Sequence, residues 1–140
     1  MNRNFVNLLL RIAVALYFSI NGIMAIRKSE YSEFVHFSDF IFGKSESINI
    51  ALVSIIVCLF AGSVWLLLPL LKIEIPILDT VLLYQSFGWI FFIVGYDIIY
   101  TVLNKVNIFG CLREFAVHLM VFGIMFASVR KNRFFDKIKS

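Results

Sequence analysis

The chain has 140 residues, of which 61 % are hydrophobic and 16 % charged, with a formal net charge of +4 and a mean hydropathy of +0.90. Soluble domains average roughly 45–50 % apolar and about 25 % charged residues, so the composition excludes an ordinary water-soluble fold. It predicts a single all-α integral membrane domain over residues 1–140.

The first apolar run is Phe5–Ile26, interrupted by Arg11 and Asn21. Arg3 ahead of it invites comparison with a signal peptide. However, Arg11 falls where an unbroken apolar region belongs and no A-x-A-like site follows, so a retained spanning helix is predicted. Its small residues Ala13, Ala15, Gly22 and Ala25 suit close helix contact. In the next stretch, Tyr31, Phe34, Phe37 and Ile41 recur at helical spacing, with Glu33, His36 and Asp39 on other faces and Gly43 as a stop. That pattern predicts a short amphipathic helix over about 30–43, lying in the membrane interface.

The second run, Ile48–Leu71, is the most apolar, with Cys58 near its middle expected to pack as a small hydrophobe and Trp65 near its end. Pro69, Lys72, Glu74 and Pro76 mark a tight return. The third run, Ile77–Leu103, exceeds the roughly 20 residues needed to span, so Asp79 and Asp97 can approach the interfaces. Gly88 and Gly95, seven apart, are expected on nearly one close-packed face. The fourth run opens with Arg113 and Glu114, carries His118 one turn further in and continues to Val129. Neither a cysteine pair nor ligand spacing for a metal is present: Cys58 and Cys111 are isolated, and His36 and His118 are far apart.

Four spans at about 5–26, 48–71, 77–103 and 109–129 predict an antiparallel four-helix bundle with both termini on one side. The tail 130–140 holds Arg130, Lys131, Arg133, Lys137 and Lys139 against Asp136 alone, which by the positive-inside rule makes that side cytoplasmic. Such a tail beside a spanning helix meets anionic lipid rather than nucleic acid. In this topology Arg11 and Asp79 share the cytoplasmic half and are expected to form a structural ion pair. Asn21, Asp97, Arg113, Glu114 and His118 share the outer half, under the 30–43 segment. Charge in hydrocarbon is costly, so these outer residues are expected to converge. Two uses stand open: mutual neutralisation between helices, or a site that relays a proton or binds a quinone head group, with His118 as the titrating group.

The first span, LLRIAVALYFSINGIMAI, with arginine early and glycine near its exit, resembles the opening of the DoxX-like family of small four-helix bacterial membrane proteins. The segment FGCLREFAVHLMVFGIMFAS resembles the basic–acidic pair with which that family opens its last helix. Arg11, Gly22, Arg113 and Glu114 are the matching positions. The chain departs from the family pattern in having Ala25 and Ile26 before Arg27, and no glutamate in Ile48–Leu71. The resemblance implies a bacterial inner-membrane location and a link to membrane redox systems. Two functions follow as expectations. One is a non-catalytic subunit or scaffold, meeting membrane proteins or further copies of itself without a cofactor. The other is a redox-linked component holding quinone or another small apolar molecule. No catalytic residue is assigned.

Overall fold

In the computed structural model, residues 3–44, 50–71, 73, 75–104 and 107–129 are described. The basic tail 130–140, the first residues of the second apolar run at 48–49, and Lys72, Glu74 and Lys105 lie outside them.

Every regular element among the described residues is helical: α1 (Arg3–Ile26), α2 (Glu33–Phe42), α3 (Ile50–Leu67) with a 3-10 turn at Leu68–Leu71, α4 (Pro76–Phe92), a π-helical segment (Ile93–Tyr100), α5 (Thr101–Asn104) and α6 (Ile108–Ser128). Four stretches are long and apolar enough to cross a membrane: Phe5–Ile26, Ile50–Leu71, Ile77–Asn104 and Ile108–Ser128. The third, with 28 residues, rises about 42 Å at ~1.5 Å per residue, well beyond a hydrocarbon core of about 30 Å.

On α1 the buried residues are Val14, Ala15, Phe18, Asn21, Gly22 and Ala25, a stripe at helical spacing, whereas Leu16, Ile20, Ile23 and Ile26 are exposed. An apolar outer face would be a liability in water; in a bilayer it is the lipid-facing surface. The inward stripe packs chiefly on α3. Gly22 permits the approach, since a Cβ there would lie 2.9 Å from the Phe60 ring. Two serines fasten the same pair. Ser63 Oγ donates to the Ala15 carbonyl at 2.9 Å, which uses its single proton, so Ser19 is the donor in the 2.8 Å hydroxyl–hydroxyl contact between them.

Lys28, at φ 47, closes α1 in the left-handed region. The bonds Ser29 N–H to Met24 O and Lys28 N–H to Ala25 O form the paired closure of a Schellman turn. The chain then enters α2, which buries Phe34 and Ser38. Tyr31 is 84 % exposed and Ile41 50 % exposed, so they do not share the burial of Phe34, with which helical spacing grouped them. Tyr31 belongs to the turn before the helix, and helical spacing does not carry it round to Phe34.

A second departure concerns the glycines of the third span. A Cβ at Gly95 would meet the Phe37 ring at 2.9 Å, but one at Gly88 would have nothing within 4 Å. Gly95 is a close-packing site, and Gly88 borders open space. Arg11 and Asp79, the pair expected in the cytoplasmic half, are both half-buried.

α4 packs on α6, and α6 on α1, around a core that includes Phe18, Leu66, Trp89, Phe92, Val121 and Met125. This core ends against a buried polar cluster.

Candidate functional site: a buried acid–imidazole–acid cluster

His118 projects from the middle of α6 and is 1 % exposed. Its Nδ1 lies 2.9 and 2.8 Å from the two carboxylate oxygens of Asp97. Its Nε2 lies 2.7 Å from Glu33 Oε2 and 3.1 Å from the Tyr17 hydroxyl. Four elements therefore meet at one imidazole: α1, α2, the π segment and α6. Carboxylates only accept hydrogen bonds, so the arrangement is satisfied when each ring nitrogen donates.

The π segment is what delivers Asp97. Packing an extra residue into a turn rotates the following side chains relative to a regular helix, and such segments recur where a side chain must be re-aimed. Asp97 is 3 % exposed, and its carbonyl accepts from Cys111 Sγ at 3.2 Å. That contact accounts for Cys111. Trp89 Nε1 donates to the His118 carbonyl at 3.0 Å, tying α4 to α6 at the same level.

Aromatic rings enclose the imidazole. Phe92, Trp89 and Tyr17 present themselves near edge-on to it, with centroids at 5.1, 6.0 and 6.4 Å. Phe34, Phe92, Tyr96 and Tyr100 form a continuous stack, with successive centroids 4.6, 5.5 and 5.0 Å apart. The last three sit four residues apart along one helix face. Excluding water from the cluster strengthens each charge-assisted bond within it.

Of the residues singled out from the sequence, Asp97 and His118 are brought together. Asn21 is buried nearby and donates to the Tyr17 carbonyl at 2.9 Å, supporting the turn that carries the Tyr17 ring. Among the described residues, neither Arg113 nor Glu114 makes a hydrogen bond to the cluster. The Arg113 side chain is 80 % exposed, and its one ion pair among the described residues is with Glu114, at 3.9 Å. Glu114 shares a face with His118 by spacing and lies, half-buried, one turn nearer the start of α6.

Glu33 and Tyr17 enter instead. Tyr17 had a signal in the sequence, since it stands one turn before the polar Asn21 on α1. Glu33 had none, because a carboxylate beside Phe34 in an amphipathic stretch reads as a solvated face.

The three titratable groups do not converge on a point, because Asp97 and Glu33 occupy opposite nitrogens of one ring. Among the described residues no set of three His, Cys, Asp or Glu is arranged to hold a metal ion. What the cluster can do is bind α2 to the bundle, or pass a proton along Glu33, His118 and Asp97. Glu33, whose side chain is 24 % exposed, is its outer end.

Compared with protein-family models, curated proteins and solved structures, the chain finds no match. Its fold and its cluster alone define its class: among the described residues, an all-helical chain with four helices long and apolar enough to cross a membrane and an internally paired acid–imidazole–acid core.

Proposed function

We propose that the chain is a DoxX-like integral membrane protein of the bacterial inner membrane, acting as a non-catalytic subunit or scaffold of a membrane complex. Its four spans run antiparallel with both termini cytoplasmic, and α2 lies at the outer interface. The observation that carries this reading is the closure of the polar cluster. Both nitrogens of His118 are held by carboxylates of the same chain, behind aromatic rings. Polar groups so arranged hold helices in place and leave lipid-facing surfaces to meet partner membrane proteins or a second copy.

Purification of the full chain in mild detergent tests it. A partner protein in fixed stoichiometry, with Glu33→Gln lowering folded chain and complex in proportion, is the expected result. Loss of an associated activity at an unchanged amount of folded protein would overturn it.

A second reading is favoured by the position of Glu33. Its partial exposure gives the enclosed His118 a chemical link to the surroundings, as a redox-linked component needs for proton exchange with a quinone or another small apolar molecule. Quinone that co-purifies with the native chain, and is lost in Glu33→Gln while the fold survives, would select this reading over the first.

A further inference from the structure

Sharing Phe34, Trp89 and Phe92 with the aromatic enclosure of His118, a cleft of about 470 Å³ opens between α3 and α4, with α2 contributing Phe34 and Phe37. Its volume falls within the ~300–1,000 Å³ of small-molecule sites. Half of its lining residues are aromatic and none carries a formal charge. Gly88 forms part of its wall, and the space a side chain would take there is empty. Cys58, expected to be packed away, is exposed and lines the same space.

One polar group in the wall is unfinished. The Gln85 amide lies against Gly62, where a Cβ would come within 2.3 Å of its nitrogen. Its Nε2 donates to the Cys58 carbonyl at 2.9 Å, which leaves Oε1 buried without a partner. A buried acceptor left in that condition is destabilising, because it has lost its bond to water and gained none in return. The terminal torsion of glutamine is broad, so a modest turn of the amide offers this oxygen to the cleft.

We propose that this cleft binds an uncharged, flat-ringed lipophile bearing a hydroxyl donor, whose rings lie among the aromatic side chains and whose hydroxyl completes Gln85 Oε1. The lining has no charge to meet an ionised head group. A saturated acyl chain has neither a planar face for the rings nor a proton for the amide. None of Glu33, His118 and Asp97 lines the cleft and binding there requires no electron transfer, so the proposal does not depend on either reading.

The chain's two tryptophans, Trp65 and Trp89, both line the cleft, so intrinsic fluorescence reports on it directly. The full chain in detergent, or in nanodiscs, is titrated with a brominated hydroxybiphenyl and with its methyl ether, which keeps the rings and lacks the donor. Saturable quenching by the phenol, with the ether about tenfold weaker, is expected. Gln85→Leu brings the phenol to the affinity of the ether. Gly88→Leu, which fills open space and favours helix, removes the quenching without lowering the unfolding midpoint. Equal affinity for phenol and ether overturns the donor assignment. Quenching by brominated phospholipid chains alone makes the cleft an acyl-chain groove and overturns the proposal, as does quenching that survives Gly88→Leu.

Discussion

Ion pairs of very different worth occur on α6. His118 is enclosed and bridges two carboxylates, whereas Arg113 reaches Glu114 from an 80 % exposed side chain. Removing one partner of a buried pair leaves an uncompensated charge, at about 3–5 kcal/mol, whereas an exposed pair contributes about 0–1 kcal/mol. His118→Leu should therefore sharply reduce folded protein and the unfolding midpoint in detergent. Glu33→Gln, which retains a hydrogen-bonding side chain on the partly exposed arm, should cost less, and Arg113→Leu almost nothing. Equal midpoints for the three variants would contradict the distinction. The sequence made Asp97 and His118 legible, because both interrupt apolar runs where charge is expensive. It grouped Arg113 and Glu114 with them by depth alone, and depth does not say which side of a helix end turns inward. Glu33 needed the tertiary fold, being in no way out of place where it stands in the chain, whereas Tyr17 stood one turn before the polar Asn21.

Each helix was legible through its length and hydropathy, while the contacts between helices were not. The α1–α3 pair rests on Gly22 against Phe60 and on the Ser19–Ser63–Ala15 hydrogen bonds. Small residues at 13–25 pointed to close approach, but they did not name α3 as the neighbour. Ser63→Ala removes the shared hydroxyl, and hydrogen bonds between helices in membranes average about 0.6 kcal/mol, reaching about 1.7. A loss in that range is expected in denaturation of the detergent-solubilised chain. Adding Ser19→Ala should cost less than its effect alone, because both serines serve one network. Full additivity would mean that the hydroxyls act separately. The π segment lay beyond sequence reading altogether, since IVGYDIIY is as apolar and as helix-compatible as its neighbours. Its effect is positional: it brings Asp97 to His118, and Tyr96 and Tyr100 into the stack begun by Phe34 and Phe92. Gly95, beside Phe37, lets α2 settle against that stack. Gly95→Leu is expected to push α2 outward and weaken the Glu33–His118 bond, detectable as faster amide exchange in α2 than in α3. Unchanged exchange would show that Phe37 yields without moving its helix.

At the scale of the whole chain, four crossings impose a parity that can be tested without knowing any partner. In the proposed topology Lys44, between the first and second spans, and Ser140, beyond the fourth, are separated by three crossings and must face opposite sides. In that proposal the tail's five basic residues put Ser140 on the cytoplasmic side. Arg27, Lys28, Lys44 and Lys105 oppose that assignment from the other face, so charge alone decides the orientation by a margin, whereas parity follows from the number of spans. Single cysteines at the two positions, in a background carrying Cys58→Ala and Cys111→Ala, can be probed in intact cells with a thiol reagent that does not cross the membrane. The cysteine replacing Lys44 is expected to react from outside, and the one replacing Ser140 only after the cells are opened. Reversed labelling would invert the orientation while leaving four crossings intact. Labelling of both from the same side would remove a crossing. The 28-residue third stretch would then be the first to reconsider, because its π segment divides it and its length exceeds what a single span requires.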